Sequence, residues 1–341
     1  MHQDRQELVL KIVVEQYIRT HEPVASGSVV KKFPIPISSA TIRNDMAALE
    51  REGFLMEPHP SAGRVPTDRG YRNFVDSLSI SSAPDAQRRA LKGILSASSG
   101  LEEGIEEAVK FLAASTGQVA VGVAPPISSL SLHRLEVVGK DPLTVILISD
   151  NGQVEKAGME NPGLSKEEIE KEVEKINREL AGSPISSLGR KVAAIPPSGP
   201  KEEKFLEALS ESMEFGSQAK REVYVYGVNL AYRGMSGDFL APLLDALEEQ
   251  IALIRLMASI SREGMGVAIG SETQSDSLSH VSILSARYGT EEWEALIGSI
   301  GNTYMDYPCA ISSLRGVAEC LSDFASQQFP SNPSDGSFNG E

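Results

Sequence analysis

Within its first 80 residues the chain alternates short helical patterns with proline breaks and then turns back on itself, an order that few folds accommodate. Asp4 to Arg19 places Leu8, Val9, Ile12, Val13 and Tyr17 at helical spacing with charges opposite. Thr20-His21-Glu22-Pro23 interrupts that helix, because proline disfavours helical geometry in the residue before it. Ser26 to Phe33 fits a short second helix with Ser26 as N-cap, ended by Pro34 and Pro36. Ser38-Ser39 caps a third, running to about Glu52 and stopped by Gly53, with Ile42, Met46 and Leu49 as one apolar stripe. Phe54-Leu55-Met56 and Arg64-Val65-Pro66 predict a small hairpin around a turn from Pro58 to Gly63. Thr67-Asp68-Arg69-Gly70 then opens a helix carrying Tyr71, Phe74 and Leu78. Three helices followed by a hairpin is the order of a winged helix-turn-helix.

The remainder has a different grain. Ser79 to Asp85 is rich in Ser, Ala and Pro and reads as a linker or helix junction, and Arg88 to Ser115 as helical. Val119–Val123, Leu135–Val138 and Thr144–Ser149 predict strands, with a turn at Asp150-Asn151-Gly152. Residues 165–181 predict a helix with Lys and Glu interleaved, Glu222–Gly227 a strand, and Phe239–Ser261 a long helix. Val267–Gly270 and Val281–Ala286 predict two further strands, and the Ser-, Pro-, Asn- and Gly-rich residues 327–341 a disordered tail. Strands, then helices, then strands again suggest a mixed α/β domain interrupted by an insertion. Leu164, Ile169, Val173, Ile176 and Leu180 share one helical face, which fits either a contact surface for a second copy or the inner face of a helix on its own domain core.

Charge narrows the possible partners. The net charge of −15 lies outside the first 78 residues, which hold 10 basic and 10 acidic side chains. An acidic body repels DNA, so contact with DNA would be confined to the N-terminal end. No apolar run reaches the roughly 18 residues of a membrane span, and no signal-peptide core follows Met1, so a cytoplasmic protein is expected. Cys309 and Cys320 are too few for a disulfide framework, and the His at 2, 21, 59, 133 and 280 show no metal-ligand spacing. No phosphate loop, dinucleotide fingerprint or nucleophile elbow occurs, so neither an enzyme nor a cofactor is expected.

The third helix carries the chemistry. With Ile42, Met46 and Leu49 inward, Ala40, Asn44 and Arg51 lie opposite and Arg43 on the flank, so the exposed N-terminal end offers Ser38, Ser39, Thr41, Arg43 and Asn44. Arg makes paired hydrogen bonds to guanine and Asn to adenine. Ser and Thr are short enough to bring a helix N-terminus close to phosphate. The same pattern fits a capped surface helix in some other bundle. Ser61, Gly63 and Arg64 at the hairpin allow close approach to the sugar-phosphate backbone and supply a guanidinium. Lys31 and Lys32, at the end of the second helix, fit phosphate contact and a solvated pair equally, and Arg69 and Arg72, beside Tyr71, have the same two readings. Thr67, at the start of their helix, completes the candidate set.

The runs Ser38-Ser39-Ala40-Thr41-Ile42-Arg43-Asn44-Asp45-Met46 and Pro58-His59-Pro60-Ser61-Ala62-Gly63-Arg64-Val65-Pro66-Thr67-Asp68-Arg69-Gly70-Tyr71-Arg72 closely resemble the HrcA family of heat-inducible transcription repressors. Tyr17 to Val24 is similar as well, as are Val267 to Glu272, Ala286-Arg287-Tyr288 and Met305-Asp306-Tyr307 more weakly. Two places depart from the family pattern: Asn302 and Tyr304 stand where it usually shows Pro and Arg, and Pro60 where it usually shows Thr.

The resemblance implies an α+β multidomain chain. Its expected parts are a winged helix-turn-helix over residues 1–78, a junction over 79–93, a discontinuous GAF-like α/β domain over 94–150 and 221–326, and an inserted dimerisation domain over 151–220. It also implies a homodimer on double-stranded DNA at an inverted-repeat operator upstream of chaperone genes, assisted by the GroE chaperonin. The dimer has an independent physical motive, because one reading helix covers only a few base pairs whereas two, about 34 Å apart, read a palindrome. The competing expectation is a ligand-responsive winged-helix regulator with a small-molecule pocket in the GAF-like domain.

Overall fold

The computed structural model describes the chain apart from residues 1, 35, 61, 80–82, 127, 129, 151, 214–221, 231–243, 246, 291–292 and 329–341. It opens with α1 (His2–Thr20), α2 (Ser26–Val30) and α3 (Ser39–Arg51), then β1 (Leu55–Met56), β2 (Val65–Pro66) and α4 (Asp68–Asp76). The N-cap of α2 is Ala25, not Ser26, and the helix ends at Val30 rather than Phe33, leaving Lys31 and Lys32 in the following turn. The hairpin β1–β2 gains a third partner, because Val24 and Arg64 exchange two backbone hydrogen bonds of 2.9 Å. Val9, Val13, Ile42, Met46, Leu49, Leu55, Tyr71 and Phe74 fill the space these elements enclose.

The pattern read as helical from Arg88 to Ser115 is two helices, α5 (Asp85–Ala97) and α6 (Leu101–Thr116), parted at Ser98-Ser99-Gly100. Leu91 and Leu95 of α5 are buried, so residues 85–93 belong to the body rather than to a linker. Strands β3 (Val119–Val123), β7 (Val223–Tyr226), β8 (Met265–Ile269), β9 (Val281–Gly289) and β10 (Glu294–Asn302) make an antiparallel sheet in the order β7-β3-β10-β9-β8. Helix α10 (Gln250–Ile260) packs Leu253 and Met257 with Val119, Val121, Ile283 and Ile300. α6 and the C-terminal α11 (Tyr307–Gln328) belong with the core that holds Ala120 and Ile297. Covered on both faces, β3 is buried throughout and reads as an unbroken apolar run rather than an alternating one. Only residues 250–260 of the long helix expected from Phe239 to Ser261 form α10, and 239–243 and 246 lie outside the described residues. Gln327 and Gln328, expected in the tail, close α11; the rest of that expectation, from 329, also lies outside the described residues.

Between β3 and β7 the chain builds a separate sheet, β4 (Leu132–Gly139), β5 (Leu143–Ser149) and β6 (Val154–Met159), in that order. Helices α7 (Lys166–Leu180), α8 (Leu188–Ala193) and α9 (Pro200–Ser212) accompany it. The expected division at residue 150 is therefore displaced: β4 and β5 belong to this smaller sheet, and the change of sheet falls near residue 130. Ser165 and Glu168 cap α7 reciprocally, and these bonds hold the Glu168 carboxyl below its usual range. The face carrying Leu164, Ile169, Val173, Ile176 and Leu180 is buried within the chain, so the inner-face reading is the correct one and this face is no contact surface for a second copy.

Asn177 ties α7 to β4, its Nδ2 donating to the Leu135 carbonyl at 2.8 Å and its Oδ1 accepting the Leu135 N–H at 2.7 Å. Asn177→Ala leaves both buried backbone groups without partners and is expected to cost roughly 1–3 kcal/mol. A lower urea midpoint at unchanged slope checks this.

Candidate nucleic-acid interface

Ser38 caps α3, its Oγ accepting the Thr41 N–H at 3.0 Å and lying 2.8 Å from Thr41 Oγ1. Ser39 Oγ lies 3.1 Å from Ser26 Oγ, which joins the first turns of α2 and α3. Asp45 shares the buried face with Ile42, Met46 and Leu49 and is only 2% exposed. Arg5 clamps it from α1, with Nε donating to Oδ2 at 2.7 Å and Nη2 to Oδ1 at 2.8 Å. The bond to Asp45 raises the Arg5 guanidinium above its ordinary value, so it stays charged. This pair was not among the expected site residues. Its signal is an acid at a position that the spacing of Ile42, Met46 and Leu49 turns inward, where a charge requires a partner.

Anchored this way, α3 presents Ser38, Ser39, Ala40, Arg43 and Asn44 to solvent. Arg43 also lines a groove of about 430 Å³ between α3 and the hairpin, whose far wall includes Ala62, Gly63 and Arg64. Lys31 and Lys32 are exposed just before. Ser61 lies outside the described residues.

The remaining candidates hold the structure together. Arg64 is 21% exposed and faces two carboxylates, with Nε and Nη2 both 3.0 Å from Glu50 Oε2 and Nη1 3.3 Å from Glu57 Oε1. A phosphate would have to compete with both acids. Thr67 caps α4 through the Gly70 N–H and donates to the Gly53 carbonyl at 2.7 Å. Arg69 Nη1 donates to the Glu52 carbonyl at 2.8 Å, and its guanidinium lies 4.6 Å from the centroid of the Phe54 ring. That places it at the C-terminal end of α3, about 20 Å along the helix from Ser39. Arg72 turns to the body, bonded to Glu272 and to the Val267 carbonyl, and its bond to Glu272 raises its already high pKa. Of the expected set, five residues therefore meet at one end of α3, with Lys31 and Lys32 on the turn before it and Gly63 across the groove.

No helix among the described residues is long and apolar enough to cross a membrane, and no group of three or more His, Cys, Asp or Glu among them is placed to hold a metal ion. A heat-inducible transcription repressor HrcA of Bifidobacterium longum subsp. infantis is 37% identical over 367 aligned residues, covering 96% of this chain and 99% of that protein. The family profile described as HrcA protein C terminal domain matches residues 102–311. The chain belongs to the HrcA family. HrcA is a family of transcriptional repressors of heat-shock genes, not of enzymes. A second HrcA, of Pseudarthrobacter chlorophenolicus, is 36% identical over 335 residues, 94% of this chain and 98% of that one. A solved structure described as a hypothetical protein at 2.2 Å resolution matches with a TM-score of 0.66 and 23% identity, over 95% of this HrcA chain and 99% of its own, and speaks for the fold alone.

Proposed function

We propose that this HrcA chain represses chaperone genes by placing the N-terminal end of α3 in the major groove of an inverted-repeat operator, as a homodimer. The observation that carries this reading is the exposure of Arg43 and Asn44, neither of whose side chains has a hydrogen bond or ion pair with another described residue. Two side chains able to make paired bonds to guanine and adenine are thus held on a rigid helix and left unengaged. Residues 1–78 are read as a winged helix-turn-helix, with the hairpin as the wing. The five-stranded sheet and its helices are read as the GAF-like domain. The segment between β3 and β7 is read as the inserted dimerising domain, supported by the direct pairing of β3 with β7 across a unit that has its own sheet.

Heat acts on the population of folded repressor. A change of about 1–2 kcal/mol in stability shifts the active fraction several-fold, and the GroE chaperonin returns refolded dimer to the operator. The test is operator binding by purified protein before and after a heat pulse, with and without chaperonin and ATP. Binding should fall after the pulse and return only with chaperonin. A dimer that keeps full binding through the pulse without chaperonin would contradict the regulatory part of this reading.

A further inference from the structure

The hydrogen-bonded part of the contact between the N-terminal elements and the body is built from α4, and it is continuous with α3. On one side, Thr67 and Arg69 of α4 bond the carbonyls of Gly53 and Glu52, where α3 ends. On the other, Arg72 Nε donates to Glu272 Oε1 at 2.8 Å, and Nη2 bonds Glu272 Oε2 and, at 2.7 Å, the Val267 carbonyl. Asp76 faces the remaining Nη1 at 3.3 Å. Glu272 is itself oriented by the Ile269 N–H at 2.9 Å.

One turn earlier, Asp68 Oδ2 accepts the Ser271 N–H at 2.9 Å. Gly270 makes this approach possible, since its φ is +51° and a Cβ there would lie 2.4 Å from Asp68 Oδ2. Aromatic rings close the same junction. Tyr71 lies 6.0 Å from Tyr307, and Tyr304, one of the two departures at that loop, lies 4.8 Å from His21 and 6.1 Å from Tyr17.

We infer that α4 is a strut, that Arg72 and Asp68 are positioning residues whose partners are Glu272 and the Ser271 N–H, and that the strut fixes the separation of the two reading helices in the dimer. Arg72 is thereby removed from the phosphate-contacting set. The inference rests on the DNA-reading function proposed above. Two heads held at the operator spacing bind as one bivalent unit, whereas heads that swivel lose the gain of the second contact.

Arg72→Ala and Glu272→Ala should each weaken binding to the full inverted repeat by about tenfold or more while changing half-site binding less than about twofold. On the half-site the slope of affinity against salt should not change, because no phosphate contact of a single head is lost. The reversed pair Arg72→Glu with Glu272→Arg should bind the full repeat more tightly than Arg72→Glu alone but less tightly than wild type, because the Val267 carbonyl and the Ile269 N–H still lose their partners. If Arg72 instead touches phosphate, Arg72→Ala weakens half-site binding too, the salt slope falls by about 0.9 on the half-site and about 1.8 on the full repeat, and Glu272→Ala does nothing, which overturns the inference.

Amide hydrogen exchange at Ser271 in the free full-length protein reads the strut without DNA. It should quicken by about fivefold or more in Arg72→Ala and in Asp68→Ala, which leaves the Ser271 N–H no side-chain acceptor, and unchanged exchange would also overturn the inference. Wild-type protein with a protected Ser271 amide but no preference for the inverted repeat would overturn the DNA-reading function, leaving the strut standing.

Discussion

Replacing Arg43 and Asn44 together by alanine is expected to lower affinity for the inverted-repeat operator by on the order of 100-fold or more, with no comparable loss on a scrambled duplex. Each paired hydrogen bond to the correct base is worth about 1–3 kcal/mol of discrimination, and every 1.4 kcal/mol is about tenfold in affinity. Both side chains are exposed and bonded to no other described residue, so the fold should not notice: stability should stay within about 0.5 kcal/mol of the parent. Arg51→Ala is the matched control. It removes an exposed arginine from the opposite end of the same helix, where Arg51 Nε bonds the Ala47 carbonyl, and should leave operator affinity unchanged. Electrophoretic mobility shift with both duplexes checks all three variants. If these helices serve protein interaction instead, the double variant binds both duplexes as the parent does.

Gly63→Ala is expected to be costly for a reason unrelated to backbone freedom. Its Cβ would lie 2.4 Å from both the carbonyl carbon and the carbonyl oxygen of Val24, backbone atoms that cannot swing away as a side chain would. The two 2.9 Å hydrogen bonds between Val24 and Arg64 hold the hairpin to the α2 side of the unit, and the added methyl forces them apart. Overpacking of this kind costs roughly 1–3 kcal/mol. The lost hydrogen bonds add to it, roughly 0.5–1.5 kcal/mol each. Operator affinity should fall as well, because the hairpin forms the far wall of the groove lined by Arg43. Gly27→Ala, where nothing lies within 4 Å of the added carbon, should be neutral or slightly stabilising in its helix. Thermal unfolding of the two variants side by side separates the steric effect from a general effect of removing glycine.

The N-terminal unit was largely legible because its punctuation is local. Prolines at 23, 34 and 36, the Ser38 cap and Gly53 each act within a few residues, and the structure puts α1 and α3 within about two residues of where these signals place them. The body was less so. Strand β10 is absent from the elements expected from sequence because Gly298, Ser299 and Gly301 interrupt its apolar run. Both glycines sit in crowded places: a Cβ on Gly298 would meet the Leu284 carbonyl oxygen at 2.5 Å, and one on Gly301 would meet Gln118 Oε1 at 2.1 Å. Helix α11 is absent too, although Ile311, Leu314, Val317, Leu321 and Phe324 recur at helical spacing and are all buried.

Within the site, the sequence identifies the exposed end of α3 because helical rotation alone decides which side chains face out. It does not identify the fates of Arg64, Arg69 and Arg72. A guanidinium free for phosphate and one bonded to Glu50, to the Glu52 carbonyl or to Glu272 look alike until the chain is folded, and Glu272 is 200 residues from Arg72. The acidic body matters here in a way that net charge conceals, since its Glu272 and Val267 carbonyl occupy Arg72, a cation that would otherwise count towards DNA binding, while Arg64 and Arg69 are held within the N-terminal unit itself.

The most direct test of the central claim is fluorescence anisotropy of a labelled duplex carrying the inverted repeat from upstream of the chaperone genes, against a scrambled duplex, at two salt concentrations. The protein should bind the inverted repeat about 1,000-fold or more tightly than the scrambled duplex, and binding to both should weaken as salt rises. Equal, weak binding to the two duplexes by folded, dimeric protein would contradict the assignment of α3 as a reader of DNA sequence.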